Sequence, residues 1–185
     1  MRYEKEFIEI INNSPYLSNL LKIVKGLNLE EWSIGAGVIR DIIWSELHEI
    51  KPDTPRDVDV VFFDEKVSPK KDKEIQLYLR KEYPNIPWEV TNQAFVHLWH
   101  EKKFEFPIQP IRSLEEAIST WPDTATCIGA YLDTRGEIGI IAPYSLDDLF
   151  NMVLRHNPKK VPREIFLKRI ESKKLKQKFP KVKVI

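Results

Sequence analysis

Two aspartates stand at the head of an apolar run in the stretch R-D-V-D-V-V-F-F-D, residues 56–64. Side chains alternate along a strand, so Asp57 and Asp59 would share one face, with Cβ atoms about 6.5–7 Å apart. Carboxylates at that separation repel by about 2–3 kcal/mol at an effective dielectric constant near 20. A divalent cation between them would offset the repulsion, and hard oxygen ligands favour Mg²⁺ or Mn²⁺. The alternative is that Asp57 begins the strand in a turn and Asp59 simply faces solvent.

A third carboxylate would be needed to hold two ions firmly. Glu89, in W-E-V-T-N-Q, stands on the next predicted strand and is the best candidate. Two divalent ions about 4 Å apart can clamp the attacking and leaving oxygens of a phosphoryl transfer. A Mg²⁺ site with few protein ligands usually completes its shell with substrate phosphates. The acidic residues therefore predict phosphoryl chemistry if the two strands are neighbours.

A glycine-containing turn precedes the aspartates in S-I-G-A-G-V-I-R-D. It lies at a predicted strand-to-helix junction, where Gly35 and Gly37 would let backbone N–H groups approach a phosphate. Any tight strand-to-helix turn favours glycine, so this pattern is weak alone. Together with the carboxylate pair on the following strand it indicates a phosphate site.

Two arginines flank the predicted pocket and could contact triphosphate oxygens. They are Arg40, at the end of the glycine segment, and Arg56, directly before the aspartates. Arg40 could equally pair with Asp41 or Glu31.

Further polar and aromatic residues are candidates for substrate contact. Asn92 and Gln93 follow Glu89, and His97 shares a helical face with Gln93, although His97 could equally be a half-buried structural residue. Trp121 lies in the compact turn W-P-D-T-A-T, where the residues alone indicate a packing anchor. Cys127, the only cysteine, is expected to be a small buried hydrophobic residue.

Apolar periodicity and turn residues predict the elements that position these residues. Helices are expected at 3–13, 16–25, 38–47, 69–83, 92–101 and 114–120, in a short segment after Ser145, and from about Pro162 to the basic end. Strands are expected at 32–34, 57–63, 88–91, 124–132 and 138–142. This order predicts one α+β domain: a core at about 28–105 with a small mixed sheet, N-terminal helices at 3–25 and a C-terminal α+β extension at about 106–185.

Charge is distributed unevenly along a chain whose net charge is only +1. Residues 159–185 carry eleven Lys and Arg residues against two acids. Such a basic tail could contact RNA, or it could be a solvated helix. No apolar run reaches the roughly 18–20 residues that span a bilayer, and the first residues do not read as a secretory signal. We therefore expect a cytoplasmic protein without membrane contact.

These motifs resemble those of the nucleotidyltransferase superfamily typified by DNA polymerase beta and the CCA-adding enzymes. The segment from Gly35 to Asp41 resembles the G-G-x-V-R-D stretch of the tRNA-tailing branch, with Ala36 in place of a glycine. Asp57 and Asp59 match the metal-binding pair, and Glu89 matches the third carboxylate, which is more often Asp. The spacing between turn and aspartates is also longer than in many members.

A closer resemblance covers most of the chain. The stretches G-A-G-V-I-R-D-I-I-W, R-D-V-D-V-V-F-F-D, W-E-V-T-N-Q-A-F-V-H-L-W, A-I-S-T-W-P-D-T-A-T-C-I-G and A-P-Y-S-L-D-D-L-F resemble small, mostly bacterial nucleotidyltransferase-like proteins of largely undefined substrate. The resemblance implies a polymerase-beta-like fold and Mg²⁺-dependent transfer of a nucleoside monophosphate from an NTP to an unknown acceptor hydroxyl. It also implies that Trp121 could stack on a base or shape the pocket. The alternative is a non-catalytic regulatory protein that binds nucleotide or RNA through the same cleft and the basic tail.

Overall fold

The computed structural model describes residues 1–105, 107–159 and 161–185. Helices lie at α1 Glu4–Asn12, α2 Pro15–Lys25, α3 Gly37–Leu47, α4 Lys71–Glu82, α5 His97–Phe104, α6 Leu114–Ser119, α7 Asp147–Phe150, α8 Arg163–Ser172 and α9 Leu175–Lys178. Strands lie at β1 Trp32–Gly35, β2 Val58–Phe62, β3 Trp88–Asn92, β4 Gly129–Leu132, β5 Ile138–Ile141, β6 Val153–Leu154 and β7 Lys183–Val184. The predicted α+β class is confirmed. Within the described part of the chain, no helix is long and apolar enough to cross a membrane.

The main sheet has five strands in the order β3-β2-β1-β4-β5. Strands β2 and β3 are parallel and are joined by α4, whereas β1 runs antiparallel to both β2 and β4. The start of β2, the start of β3 and the end of β1 therefore meet at one edge of the sheet. This edge brings the predicted acidic residues and the glycine turn together.

Strand alternation divides β2 between two hydrophobic cores. Val58, Val60 and Phe62 face the main core, which includes buried residues of α2 and α3. Val61 faces a smaller core on the other side, with residues of α6. Asp59 has the same parity as Val61, so its side chain leaves the sheet on the side opposite the main core.

The C-terminal residues fold back onto the main core rather than forming a free tail. Five of their apolar side chains are buried in it: Phe166, Ile170, Leu175, Phe179 and Val182. Strand β7 pairs in parallel with β6 and fixes the last residues. The expectation of a terminal helix is therefore confirmed but incomplete, because α9 and the strand pair were not predicted.

Two predicted element boundaries were wrong because polar side chains cap short turns. Residues Thr124–Thr126 form a 3-10 helix instead of a strand, because the carboxylate of Asp123 accepts a hydrogen bond from the backbone N–H of Thr126. Asn92 ends β3 instead of beginning a helix, and its side-chain oxygen accepts from the N–H of Ala94. The helix predicted at 92–101 begins only at His97, after a 3-10 turn.

Candidate active site

Three carboxylates lie at the sheet edge where β2 and β3 begin. Asp57 immediately precedes β2, Asp59 is its second residue, and Glu89 stands directly opposite Asp59 in the parallel register. Asp57 and Asp59 are half-buried, whereas Glu89 is exposed. The structure thus places the three acidic residues on neighbouring strands, as strand alternation and chain order predict.

The charge of Asp59 is unfavourable in this position. Its pKa is raised from 3.8 to about 6, mainly by burial and to a smaller extent by the nearby carboxylates of Asp57 and Glu89. The positive charges of Lys173 and Arg169 act in the opposite direction. The sheet edge therefore has a surplus of negative charge that the surrounding protein offsets only in part.

Two cations from α8 and the turn after it face these carboxylates, and sequence reasoning did not identify them as site residues. Lys173 Nζ lies 3.9 Å from Asp57 Oδ2. Burial lowers the pKa of Lys173, and the neighbouring Arg169 lowers it too, whereas Asp57 raises it. The i, i+4 spacing of Arg169 and Lys173 indicates that they share one face of a helix. It does not indicate that this face lies near the carboxylates.

The glycine turn closes around the same edge. The Cβ position of a side chain at Gly37 would be 3.5 Å from Asp57 Oδ1, so the start of α3 lies against that carboxylate. A Cβ at Gly35 would be 2.4 Å from Cη2 of Trp121, which therefore requires glycine beneath its ring. Ala36 between them has φ 50° and ψ −109°, a conformation that L residues rarely adopt.

The two predicted arginines have different environments. Arg40 is almost fully buried, and both its Nε and its Nη2 donate to Asp41 Oδ1, at 2.9 and 2.5 Å. This is one of the two pairings considered from the sequence. Arg56 is exposed, and with Lys178 it lines a small cleft next to Asp57. Arg56 is thus the freer of the two arginines to meet an incoming anion.

The cleft beside Asp57 has a volume of about 90 Å³. Its walls are the start of α3, the loop before β2 and the residues around α9. This is far below the roughly 300–1,000 Å³ of a typical small-molecule site. In this conformation, the cleft can receive a phosphate group but not a whole nucleotide.

The remaining candidates are distributed around the sheet. Asn92 is buried at the far end of β3, about 10 Å along the strand from Glu89, and exchanges hydrogen bonds with the backbone of Asp64. Gln93 is also buried, and His97 is half-buried. The structure therefore does not bring these three to the carboxylates, whereas it does bring Trp121 to the glycine turn.

The single cysteine lies beneath the tryptophan turn, where a packing role was expected. Cys127 is fully buried, and burial raises the pKa of its thiol to about 12. Asn157 donates to the backbone oxygens of Ser119 and Trp121 and holds this turn in place. A neutral thiol in such surroundings is not a nucleophile.

The donor chemistry at the sheet edge suits Mg²⁺ or Mn²⁺, because its ligands would be carboxylate oxygens with surplus negative charge. The carboxylates of Asp57 and Asp59 are close enough to interact electrostatically. However, across residues 1–105, 107–159 and 161–185, no three His, Cys, Asp or Glu side chains lie close enough to share an ion. Glu89 thus stands beside the pair without completing a ligand set.

Comparisons with known proteins match the chain to a family model and to solved structures. A family model described as nucleotidyltransferase matches residues 22–184. A protein whose NMR structure reveals a CCA-adding enzyme head domain is 26% identical, with a TM-score of 0.84 over 98% of this chain and 95% of that chain. Curated proteins give no match.

Two complexes of a full CCA-adding enzyme share the fold. The complex with CTP is 13% identical, with a TM-score of 0.57 over 98% of this chain and 42% of the enzyme. The complex with ATP is 14% identical, with a TM-score of 0.57 over 99% and 43%. This chain therefore spans less than half the length of those enzymes.

Proposed function

The chain belongs to the nucleotidyltransferase family, and on that premise we propose that it transfers a nucleoside monophosphate from an NTP to an acceptor hydroxyl. The observation that carries the proposal is the closeness of Asp57 to the glycine turn: its Oδ1 lies 3.5 Å from the position that a Cβ would take at Gly37. This chemistry requires a carboxylate pair next to a turn that can hold phosphates, and Asp57 and Gly37 line one cleft.

Each group of residues has a role in this reaction. Asp57 and Asp59 would hold Mg²⁺ or Mn²⁺, which neutralises phosphate charge and polarises the transferred phosphoryl group. The turn at Gly35 and Gly37 would hold the β- and γ-phosphates at the start of α3. Arg56 adds positive charge at the same cleft.

The transfer itself exchanges one phosphorus–oxygen bond for another. The acceptor oxygen attacks the α-phosphorus, the bond from that phosphorus to the oxygen of the β-phosphate breaks, and pyrophosphate leaves with the electron pair. Glu89, exposed beside Asp59, takes the proton of the acceptor hydroxyl.

The C-terminal cations also take part in the proposal. Lys173 faces Asp57 at 3.9 Å, so its ammonium group would have to leave this position if Asp57 held a metal ion. Lys173 and Arg169 are then available to bind triphosphate oxygens. Because the cleft is only about 90 Å³, entry of a nucleotide requires this segment to move away from the sheet edge.

The test of the proposed function uses carboxylate-to-amide variants. Asp57→Asn and Asp59→Asn should each lower nucleotidyl transfer by about two orders of magnitude or more, because each removes charge that the metal requires. The assay follows each α-labelled NTP, with Mg²⁺ and a cell extract as acceptor source, and identifies the labelled product by mass spectrometry.

Asp72→Asn is the matched control, since Asp72 is at the start of α4 and does not line the cleft. It should transfer at the wild-type rate. Full activity in both site variants would contradict the mechanism.

A second candidate is non-catalytic binding of nucleotide or RNA, and the Lys173–Asp57 pair favours it because a lysine stands where a metal is needed. Deleting residues 173–185 cannot test this candidate, because it removes Leu175, Phe179 and Val182 from the core. Replacing the exposed lysines 168, 174 and 176 with glutamine tests it cleanly. Salt-dependent RNA binding that these changes weaken, without any nucleotidylated product, would favour the second candidate.

A further inference from the structure

One row of residues crosses the main sheet on the face opposite the main core. Glu89 lies opposite Asp59 in the parallel register, and one further step of the antiparallel register of β1 and β2 places Gly35 opposite Asp59. Gly129 pairs with Gly35 on its other side. Residues that lie opposite each other project to the same face of a sheet, so this row presents two carboxylates followed by two glycines.

Trp121 fills the space that a side chain at Gly35 would need. A Cβ at Gly35 would lie 2.4 Å from Cη2 of the indole, and 3.1 and 3.4 Å from the neighbouring ring atoms Cζ3 and Cζ2. An atom under the face of a ring is almost equally far from adjacent ring atoms, so Trp121 meets the glycine with the edge of its ring. The two faces of the ring are therefore directed along the sheet and not into it.

The second hydrophobic core holds this ring from one side. Trp121 packs against the smaller core of Val61, Leu114, Ile118 and Cys127, yet it is only half-buried. Its open part therefore lies on the side away from that core, toward the sheet edge where β2 begins.

Hydrogen bonds fix the backbone of the same tryptophan. The N–H of Trp121 donates to the carbonyl oxygen of Ile118 at 3.2 Å, and Nδ2 of Asn157 donates to the carbonyl oxygen of Trp121 at 2.8 Å. Asn157 is itself almost fully buried. A ring that is held in place before a ligand arrives loses little conformational entropy when the ligand stacks on it.

The tryptophan ring lies close to the carboxylates. Neighbouring strands are about 4.8 Å apart, so its seat on Gly35 places Trp121 about one strand spacing from Asp59. Arg169 gives a second indication: burial raises the pKa of both Asp59 and Asp123, and the charge of Arg169 opposes the rise in each. Asp123 belongs to the same turn as Trp121, so one side chain of α8 lies near both the carboxylates and this turn.

We propose that Trp121 stacks on the base of the incoming NTP. The inference rests on the proposed function, and it names a contact for the part of the substrate that the carboxylates and the glycine turn do not hold. Only the ribose separates the α-phosphate of a nucleotide from its base, so an α-phosphate beside Asp59 brings the base near the neighbouring strand. Stacking accepts every base, because each base has an aromatic face. The larger purines cover more of the indole, so ATP and GTP should bind severalfold more tightly than CTP and UTP.

The test compares each NTP with inorganic tripolyphosphate, which has the phosphates but no base. Calorimetry measures binding to the full chain in Mg²⁺ without an acceptor. Trp121→Leu should weaken ATP binding about tenfold and leave tripolyphosphate binding unchanged, whereas Trp121→Phe should keep most of the affinity for ATP. The control Trp99→Leu removes an exposed indole from α5, beyond the far end of β3, and should bind ATP as the wild type does.

The unaltered protein provides a second readout that does not depend on how well Trp121→Leu folds. The chain has five tryptophans, and the indole N–H resonance that is missing from the NMR spectrum of Trp121→Phe belongs to Trp121. ATP should shift this resonance in the wild type, and tripolyphosphate should shift it far less.

The outcomes separate this inference from the function on which it rests. Equal weakening of ATP and tripolyphosphate binding in Trp121→Leu, or an indole resonance that ATP does not move, overturns the stacking while the transferase remains. If neither ATP nor tripolyphosphate binds the wild type, both proposals fail. If ATP binding depends on Trp121 but Asp57→Asn and Asp59→Asn transfer label at the wild-type rate, the stacking is supported and the proposed mechanism is overturned.

Discussion

Ala36 occupies a backbone conformation that glycine adopts far more easily. Its φ of 50° and ψ of −109° lie where an L side chain costs about 1–3 kcal/mol. The neighbouring turn residues explain why the chain keeps this shape, since Gly35 must pass beneath Trp121 and Gly37 must approach Asp57. The glycine turn is therefore strained at its centre.

Ala36→Gly should relieve this strain. After subtraction of roughly 0.5–1 kcal/mol for the greater freedom of glycine in the unfolded chain, we expect a gain of about 1 kcal/mol in unfolding free energy. Urea denaturation measures it. Ala117→Gly, inside α6, should instead lower stability by about 1 kcal/mol. A loss of similar size in both variants would show that Ala36 is not strained.

Asp59 makes stability depend on pH. Its carboxyl binds a proton more tightly in the folded protein, with a pKa of about 6 against 3.8 for the unfolded chain. The proton on Asp59 therefore stabilises the folded state fully below pH 3.8. As pH rises through 6 this contribution is lost, and the free energy of unfolding falls by up to about 3 kcal/mol. In metal-free buffer, Asp59→Asn should lack this loss.

Urea denaturation in EDTA at pH 4 and pH 7 measures this effect. The advantage of Asp59→Asn over the wild type should increase from pH 4 to pH 7, whereas Asp72→Asn should show no such change. Added Mg²⁺ should stabilise the wild type more than Asp59→Asn, because binding to the folded state raises stability. If Asp59→Asn differs from the wild type by the same free energy of unfolding at both pH values, Asp59 is not the source of the pH dependence.

At the scale of elements, the basic C-terminal segment is part of the core. Phe179, directly after α9, is fully buried, and its ring meets that of Trp44 edge to face at 5.4 Å. The adjacent Lys178 pairs with Asp41 and Asp53, so one segment both fills the core and closes the cleft. Its lysines are therefore not simply a solvated charge run.

Phe179→Ala should accordingly lower the free energy of unfolding by about 3–5 kcal/mol, because it removes a large buried ring. Leu167→Ala, at an exposed position of α8, should cost less than about 1 kcal/mol. Thermal or urea denaturation compares the two. Similar small effects would mean that the segment is loosely attached and that the cleft is open in solution.

At the scale of the whole molecule, the sequence predicts the part of the site that consecutive strands contribute. Strand alternation placed Asp57 and Asp59 on one face, and chain order placed Glu89 on the neighbouring strand. Family resemblance and fold class are confirmed, whereas the roles of the site residues stay predictions. Periodicity and spacing were sufficient where the interacting residues belong to consecutive elements.

The rest depends on contacts between distant parts of the chain. Lys173 faces Asp57 although more than a hundred residues separate them, and Trp121 covers Gly35 from a similar distance in sequence. Strands β6 and β7 have only two residues each, too few for a pattern to be recognised. Such contacts follow from the tertiary arrangement and leave no local periodicity.

The position of β1 between β2 and β4 has a consequence for the order of folding. Pairing of β1 with β2 closes a short loop, whereas pairing with β4 joins Ile34 to Ala130. The N–H of Ala36 also donates to the carbonyl oxygen of Ile128, about 90 residues later. Closing so long a loop is slow. We therefore expect the carboxylate strands to assemble early, and the turn that would receive the phosphates to be among the last parts of the chain to take shape.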